Sequence, residues 1–210
     1  MKPAVAAAAD RLDAAFVAAR QIPRLTEADP DFDVACAYEV LAELHARRIA
    51  RGWRPVGRKI GFTNTTIWER YGVDRPMWSH VWDRTVTHAV DDRAELALEG
   101  LMEPRIEPEI VFGLAGPLPP GDDPLDVLRA VAWLAPGFEI VHSPFPGWKF
   151  GAADCAAAYG LHGRLAVGTR VPVTDANRAA LAAALPTFEV TLSRGHAVIE
   201  QGVGANVLGS

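Results

Sequence analysis

Two cysteines, Cys36 and Cys155, are too few and too far apart for a disulfide framework or a metal–thiolate site. No apolar run approaches the ~20 residues that a membrane span needs. No run of lysine and arginine marks a nucleic-acid surface, and the formal net charge is −5. The start, Met1-Lys2-Pro3, leads into an alanine-rich stretch interrupted by Asp10, Arg11 and Asp13. It lacks a signal-peptide pattern, so the expected compartment is the cytoplasm. Internal repeats and low-complexity linkers are also missing. What is present is a chain of 210 residues, half of them hydrophobic, enough for one sizeable core or a small domain plus a large one. Such a chain suits a small-molecule or cation ligand, with neither nucleic acid nor membrane as partner.

The stretch Glu103-Pro104-Arg105-Ile106-Glu107-Pro108-Glu109 alternates as a strand does. Glu103, Arg105, Glu107 and Glu109 share one face, and Ile106 and Ile110 share the other. From Ile110 to Leu114 the chain is apolar apart from Gly113, which predicts a strand buried on both sides. Glu107 and Glu109 then sit at the mouth of a core. Two such carboxylates need a cation, a proton or an arginine partner. A hard divalent metal is one solution, because Mg²⁺ and Mn²⁺ favour oxygen ligands. A solvated strand face with Arg105 as neighbour is the other reading of the pair taken alone.

Along the chain, residues 4–20 predict an alanine-rich amphipathic helix. Asp29-Pro30 reads as the cap of a second helix carrying Val34, Tyr38, Leu41 and Leu44 and ending near Gly52. Arg47, Arg48 and Arg51 suit its C-terminal dipole and a solvated surface. Residues 56–63 form a short strand in which Lys59 shares a face with Gly57 and Gly61. The glycines leave a hollow beside the ammonium group, although an edge strand with an exposed lysine has the same pattern. Residues 74–82 read as an aromatic loop, with Trp78 and Trp82 as lid or packing residues. Residues 85–90 and 95–98 look like short strands. Asp123-Pro124 caps a further helix, Phe138-Glu139-Ile140-Val141 is an apolar strand with one carboxylate in it, and Thr174 caps a helix over 175–185. A hairpin turns at Ser193-Arg194-Gly195-His196. Helices first, then many short strands with inserted helices, make the fold class α+β.

Four segments carry a resemblance: Gly57-Arg58-Lys59-Ile60-Gly61, Tyr71-Gly72-Val73-Asp74, the stretch from Glu103 to Glu109, and Phe138-Glu139-Ile140-Val141. In this order and spacing the chain resembles the hydratase/decarboxylase family of aromatic meta-cleavage pathways, over nearly its whole length. The family has the fold of the C-terminal domain of fumarylacetoacetate hydrolase. The resemblance implies N-terminal helices (residues 1–55) packed on a metal-binding mixed β-roll (residues 56–210), incomplete because the family continues past Gly209 into further elements. It implies Glu107, Glu109 and Glu139 as ligands of Mg²⁺ or Mn²⁺, Lys59 as the catalytic lysine, and a homo-oligomer, with a complex with a related subunit as a further option. The implied activity is a metal-dependent lyase of small 2-oxo acids. Hydration of the 2-oxopent-4-enoate type comes first, 4-oxalocrotonate-type decarboxylation or C–C hydrolysis next, and a non-catalytic partner subunit is the contrasting reading.

Departures from the family pattern lie at Met77, where hydratases carry an aspartate, and at Cys155, Ala157 and Ala158, where the family's A-D-N-x-S segment loses its polar residues. Asp74, His80 and Asp154 are the candidates for substrate-facing groups in their place.

Overall fold

The computed structural model describes residues 3–121 and 123–209. Met1, Lys2 and Ser210, which bear on the readings of the chain's start and end, lie outside the described residues. Helix α1 (Pro3–Ala18) buries Val5, Ala8, Ala9, Leu12 and Ala15, the i, i+3, i+4, i+7 stripe of an amphipathic helix. After the short α2 (Leu25–Ala28), helix α3 (Val34–Ala50) buries Ala37, Val40, Leu41 and Leu44. Its N-cap is Asp33, whose carboxylate accepts from the Cys36 N–H at 2.8 Å, not Asp29. Asp29 instead closes a local turn by accepting from the Asp31 N–H. Arg47 and Arg51 pair with Asp10 and Asp13 of α1. Arg48, expected in solvent, turns inward and lies over the Tyr159 ring at 3.6 Å.

Strands β1 (Pro55–Gly61) and β2 (Met77–Trp82) form an antiparallel ribbon, with α4 (Trp68–Tyr71) between them in sequence. The aromatic stretch is therefore a strand and not a loop. Trp82 is fully buried, and Trp78 stacks on Tyr38, so packing on α3 accounts for both. The main sheet holds β3 (Val86–His88), β4 (Arg105–Leu114), β5 (Val131–Val141), β6 (His162–Val167) and β7 (Val171–Pro172). Its order is β3-β6-β5-β4 with β7 on β5, and only the β3/β6 pair is parallel. Residues 95–98 carry no strand; the nearest pairing is a bridge between Val90 and Arg93. Helices α5 (Pro124–Arg129) and α6 (Ala152–Ala157) flank β5 in sequence. Helix α7 (Arg178–Ala184) and the hairpin β8 (Glu189–Arg194), β9 (Ala197–Val203) follow.

The larger core runs from Val5 to Leu161 and joins α1, α3 and α6 to Met77, Trp82, Phe145 and Tyr159. It draws on both sides of residue 55, so the helices share their core with the rest of the chain. A smaller cluster of Leu128, Val131 and Leu134 packs against α7. Strand β4 is not buried on both sides as its composition predicted. It is the last strand in the sheet order, and Phe112 and Leu114 on it are 41% and 53% exposed. The α+β class holds, and no helix among the described residues is long and apolar enough to cross a membrane.

Candidate metal centre

The ten-residue antiparallel register of β4 on β5 sets Glu107 directly opposite Glu139 and Glu109 opposite Gly137. Residues opposite each other in such a pair project to the same face, as do residues two apart on one strand. Three carboxylates therefore converge, with one oxygen from each lying within 4.8 Å of the others. Glu107 reaches solvent, Glu109 is half-buried and Glu139 is buried. Loss of hydration, with little charge to answer it, pushes Glu109 up to about 8, and the neighbouring Glu139 charge adds to the effect. Glu107 is also raised, by the same desolvation. Three oxygen donors, with protons held where a cation would relieve them, fit a hard divalent ion and not a soft one.

Burial also works against a charge on Glu139, but Lys59 and His162 overcome it and hold the carboxyl down at about 2. Lys59 Nζ donates to Oε2 at 2.8 Å, and His162 Nδ1 lies 2.6 Å from Oε1. The ring's other nitrogen, Nε2, is 2.7 Å from the Thr85 hydroxyl. Thr85 in turn is bonded to the Trp82 backbone. A β-bulge accounts for the presence of His162 at this face. Up to Ile140↔Arg164 the register would place Gly163 opposite Val141, with His162 on the far side. The register slips by one, His162 pairs with Val141, and its side chain comes to the face of Glu139. The residue skipped is Gly163, where any Cβ would stand 2.6 Å from the Ile140 carbonyl oxygen. Sequence reading missed His162; a glycine inside a strand directly after it was the available signal.

Lys59 stands in a hollow, but a different one from that expected. Gly57 has open space beside it. The close approaches are at Gly61 and at Gly160, whose positive φ of 57° is a left-handed position and whose absent Cβ would lie 3.7 Å from the lysine Cδ. Desolvation pulls the lysine down, yet Glu139 and then Glu107 outweigh it, so its pKa is raised and not lowered. It is an ammonium ion. Ser79 pairs with Lys59 across the ribbon and is fully buried, and its hydroxyl has no hydrogen-bond partner among the described residues. Cys155 is buried near the same charges, and desolvation pushes its thiol up to about 12, so it is a neutral wall residue.

Asp74, His80 and Asp154, expected to face the substrate, are not brought to this cluster. Asp74 is exposed and paired with Arg75. His80 alternates with Ser79 along β2 and takes the opposite face, where it stacks on His45 of α3 at 3.8 Å between ring centres. Asp154 is fully buried, with its oxygens accepting from the N–H groups of Leu25, Thr26 and Gly151 and from the Thr26 hydroxyl. It fastens α2 to the start of α6. Met77 is buried in the core and offers no proton.

No protein-family profile matches the chain. Individual proteins do. A 4-oxalocrotonate decarboxylase of Pseudomonas sp is 33% identical over 203 residues, which are 96% of this chain and 74% of that protein. A 2-hydroxypent-2,4-dienoate hydratase of Pseudomonas putida is 31% identical over 202 residues, 96% of this chain and 87% of that protein. The solved structure of 4-oxalocrotonate decarboxylase from Pseudomonas putida G7, complexed with magnesium and adipate, superposes with a TM-score of 0.86 at 29% identity, covering 98% of this chain and 75% of that one. The same enzyme complexed with calcium and acetate gives 0.84 at 28% identity, covering 98% of this chain and 74% of that one. With its α+β fold and these relatives, the chain belongs to the hydratase/decarboxylase family of divalent-metal-dependent lyases of aromatic catabolism.

Proposed function

We propose that Glu107, Glu109 and Glu139 hold one Mg²⁺ or Mn²⁺ ion and that Lys59 serves as the catalytic cation beside it, on a small 2-oxo or 2-hydroxydienoic acid. The observation that carries this reading is the convergence of three carboxylates on a face where Lys59 already pairs with one of them. The bound ion supplies a Lewis acid toward the oxygen atoms at the 2-oxo acid end of the substrate. Lys59, a fixed ammonium, stabilises negative charge developing on the substrate and delivers or holds a proton. His162 keeps the Glu139 carboxylate turned toward the lysine. Residues 56–210 are the metal-binding part in this proposal, with residues 1–55 as helical support.

Hydration and loss of CO₂ both pass through the same electron-rich state. Hydration also requires water to be activated and a second proton to be moved. The wall near Lys59 includes the buried Met77 and the neutral Cys155, with Ala157 and Ala158 fully buried on and after α6. Met77, Ala157 and Ala158 have no proton to exchange and Cys155 holds its own too tightly, and this favours decarboxylation as the second reading beside hydration. Purified protein with Mg²⁺ is mixed with 2-hydroxypenta-2,4-dienoate while the dienol absorbance is followed, and with 2-oxohex-3-enedioate while CO₂ is followed. Turnover of either supports a lyase. Failure with both, in a protein that binds Mn²⁺ in calorimetric titration, leaves the non-catalytic subunit as the reading.

A cytoplasmic homo-oligomer, alone or with a related subunit, completes the proposal. Its support is the apolar surface at Ile106, Phe112, Leu114 and Phe138, all exposed in the single chain. Light scattering on the eluted protein tests the assembly.

A further inference from the structure

A cavity of about 360 Å³ opens between α1, α3 and β6, apart from the three glutamates. Its lining includes Arg48, Arg51 and Arg164 against one carboxylate, Asp13. That carboxylate is already taken, since Arg51 donates to both of its oxygens at 2.7 and 2.5 Å. Arg48 and Arg164 remain. Arg164 donates to the neutral carbonyl of Gly163 at 2.8 Å and forms no ion pair among the described residues. Arg48 has no ion pair there either, and its Nη1 is out of contact with solvent and without a hydrogen-bond partner.

Arg48 is held by rings. Its guanidinium lies 3.6 Å from the Tyr159 centroid, 4.8 Å from Trp53 and 5.4 Å from Trp82. Aromatic faces attract a cation but accept almost none of its N–H donors and leave the charge unneutralised. Burial pulls its proton loose; Tyr159 and the Asp13 carboxylate work against that, while the like charges of Arg51 and Arg164 add to it. The histidines on this wall do not offer a counter-charge. His142 is held neutral, at about 4, by burial, and its Nδ1 already accepts from the Met102 N–H. His162 is occupied at both nitrogens. A buried guanidinium with idle donors beside a second unpaired guanidinium is costly unless an anion enters.

We propose that this cavity binds a small oxyanion carrying two negative charges, held by Arg48 and Arg164. Two guanidinium groups without an ion pair among the described residues match a dianion, and planar N–H forks suit phosphate and carboxylate oxygens alike. The source is either inorganic phosphate or a short dicarboxylate, and the test separates them. The cavity meets the glutamate centre through His162, which lines it and bonds Glu139, but neither arginine belongs to that cluster.

The test is calorimetric titration of metal-stripped protein, in an anion-poor buffer at fixed ionic strength, with sodium phosphate in one arm and sodium succinate in the other. One saturable site per chain is expected in at least one arm, weakened about tenfold or more in R48Q and in R164Q. Circular dichroism confirms that each variant is folded; R164Q carries the test if R48Q is not. Non-saturating heats in both arms overturn the proposal, as does binding that both folded variants retain at the parent's affinity. A third overturning result is a parent that binds neither anion while R48Q changes the subunit number in sedimentation, since the arginine then meets a carboxylate of another copy.

Discussion

Lys59 Nζ lies 2.8 Å from Glu139 Oε2, joining residues 80 positions apart, with the two side chains only 12% and 3% exposed. The second oxygen of Glu139 is bonded to His162 at 2.6 Å. One carboxylate thus sits between an ammonium and an imidazole while two further carboxylates share its face. The pair keeps Glu139 charged in a buried place, and the metal-binding and lysine roles proposed above meet at this contact.

Removing the cation tests that meeting point. K59M leaves a buried carboxylate with His162 as its remaining partner, which is expected to destabilise the fold by about 3 kcal/mol. It should also lower kcat by about 100-fold or more. Chemical denaturation and steady-state assays read the two effects separately. Near-parental turnover in folded K59M would remove lysine from the mechanism.

The carboxylates differ in what their loss should do. E109Q and E139Q are each expected to weaken Mn²⁺ binding by about tenfold or more, because each deletes a charged oxygen donor. E103Q, on the same sequence stretch but ahead of β4, is expected to leave it unchanged. Calorimetric titration distinguishes them, and equal affinities for all three variants would dissolve the proposed centre.

The metal-free protein should respond to pH through Glu109. Its pKa is about 8 in the fold, against 4.5 ordinarily. Between those values the folded chain retains a proton that the unfolded chain has lost, so stability from this group falls as pH rises from about 4.5 to 8. The Tm of the metal-free protein is expected to fall by several degrees across that window, with the slope flattened in E109Q. A bound cation displaces this proton, so Mg²⁺ affinity should climb with pH up to about 8 and level off above it. A flat affinity profile between pH 6 and 8 would contradict this.

His162 reaches Glu139 only through the bulge at Gly163. G163A meets the Ile140 carbonyl at 2.6 Å and should lose the bulge, or the strand pairing with it. H162A keeps the strand but frees Glu139 to rotate. About a 10-fold to 100-fold loss of metal affinity is expected, with fluorescence and circular dichroism close to the parent. T85V, which deletes the hydroxyl beside Nε2, should give a smaller loss in the same direction. Unchanged metal affinity in folded H162A would confine the histidine to packing.

The periodicities of α1 and α3, the strand around Glu107 and Glu109, and the buried setting of Glu139 were all legible in the sequence, because each depends on spacing within one segment. Motif order identified the family for the same reason, since it is carried by local strings of residues. Partners across strands were not legible. Ile110–Leu114 has the composition of an interior strand, yet β4 is last in the sheet order with one face open. The alternation of residues 74–82 was obscured by three rings, Trp78, His80 and Trp82, that pack on α3.

By itself the sequence determined which side chains carry charge at which strand positions, and so which chemistry was on offer. Only the tertiary structure decided who faces whom. A one-residue slip at Gly163 moved His162 to the Glu139 side, and Gly160, a hundred residues from Lys59, opened the space its stem occupies. Register and close approach are properties of two segments together, and a side chain's face reverses with each residue of slip.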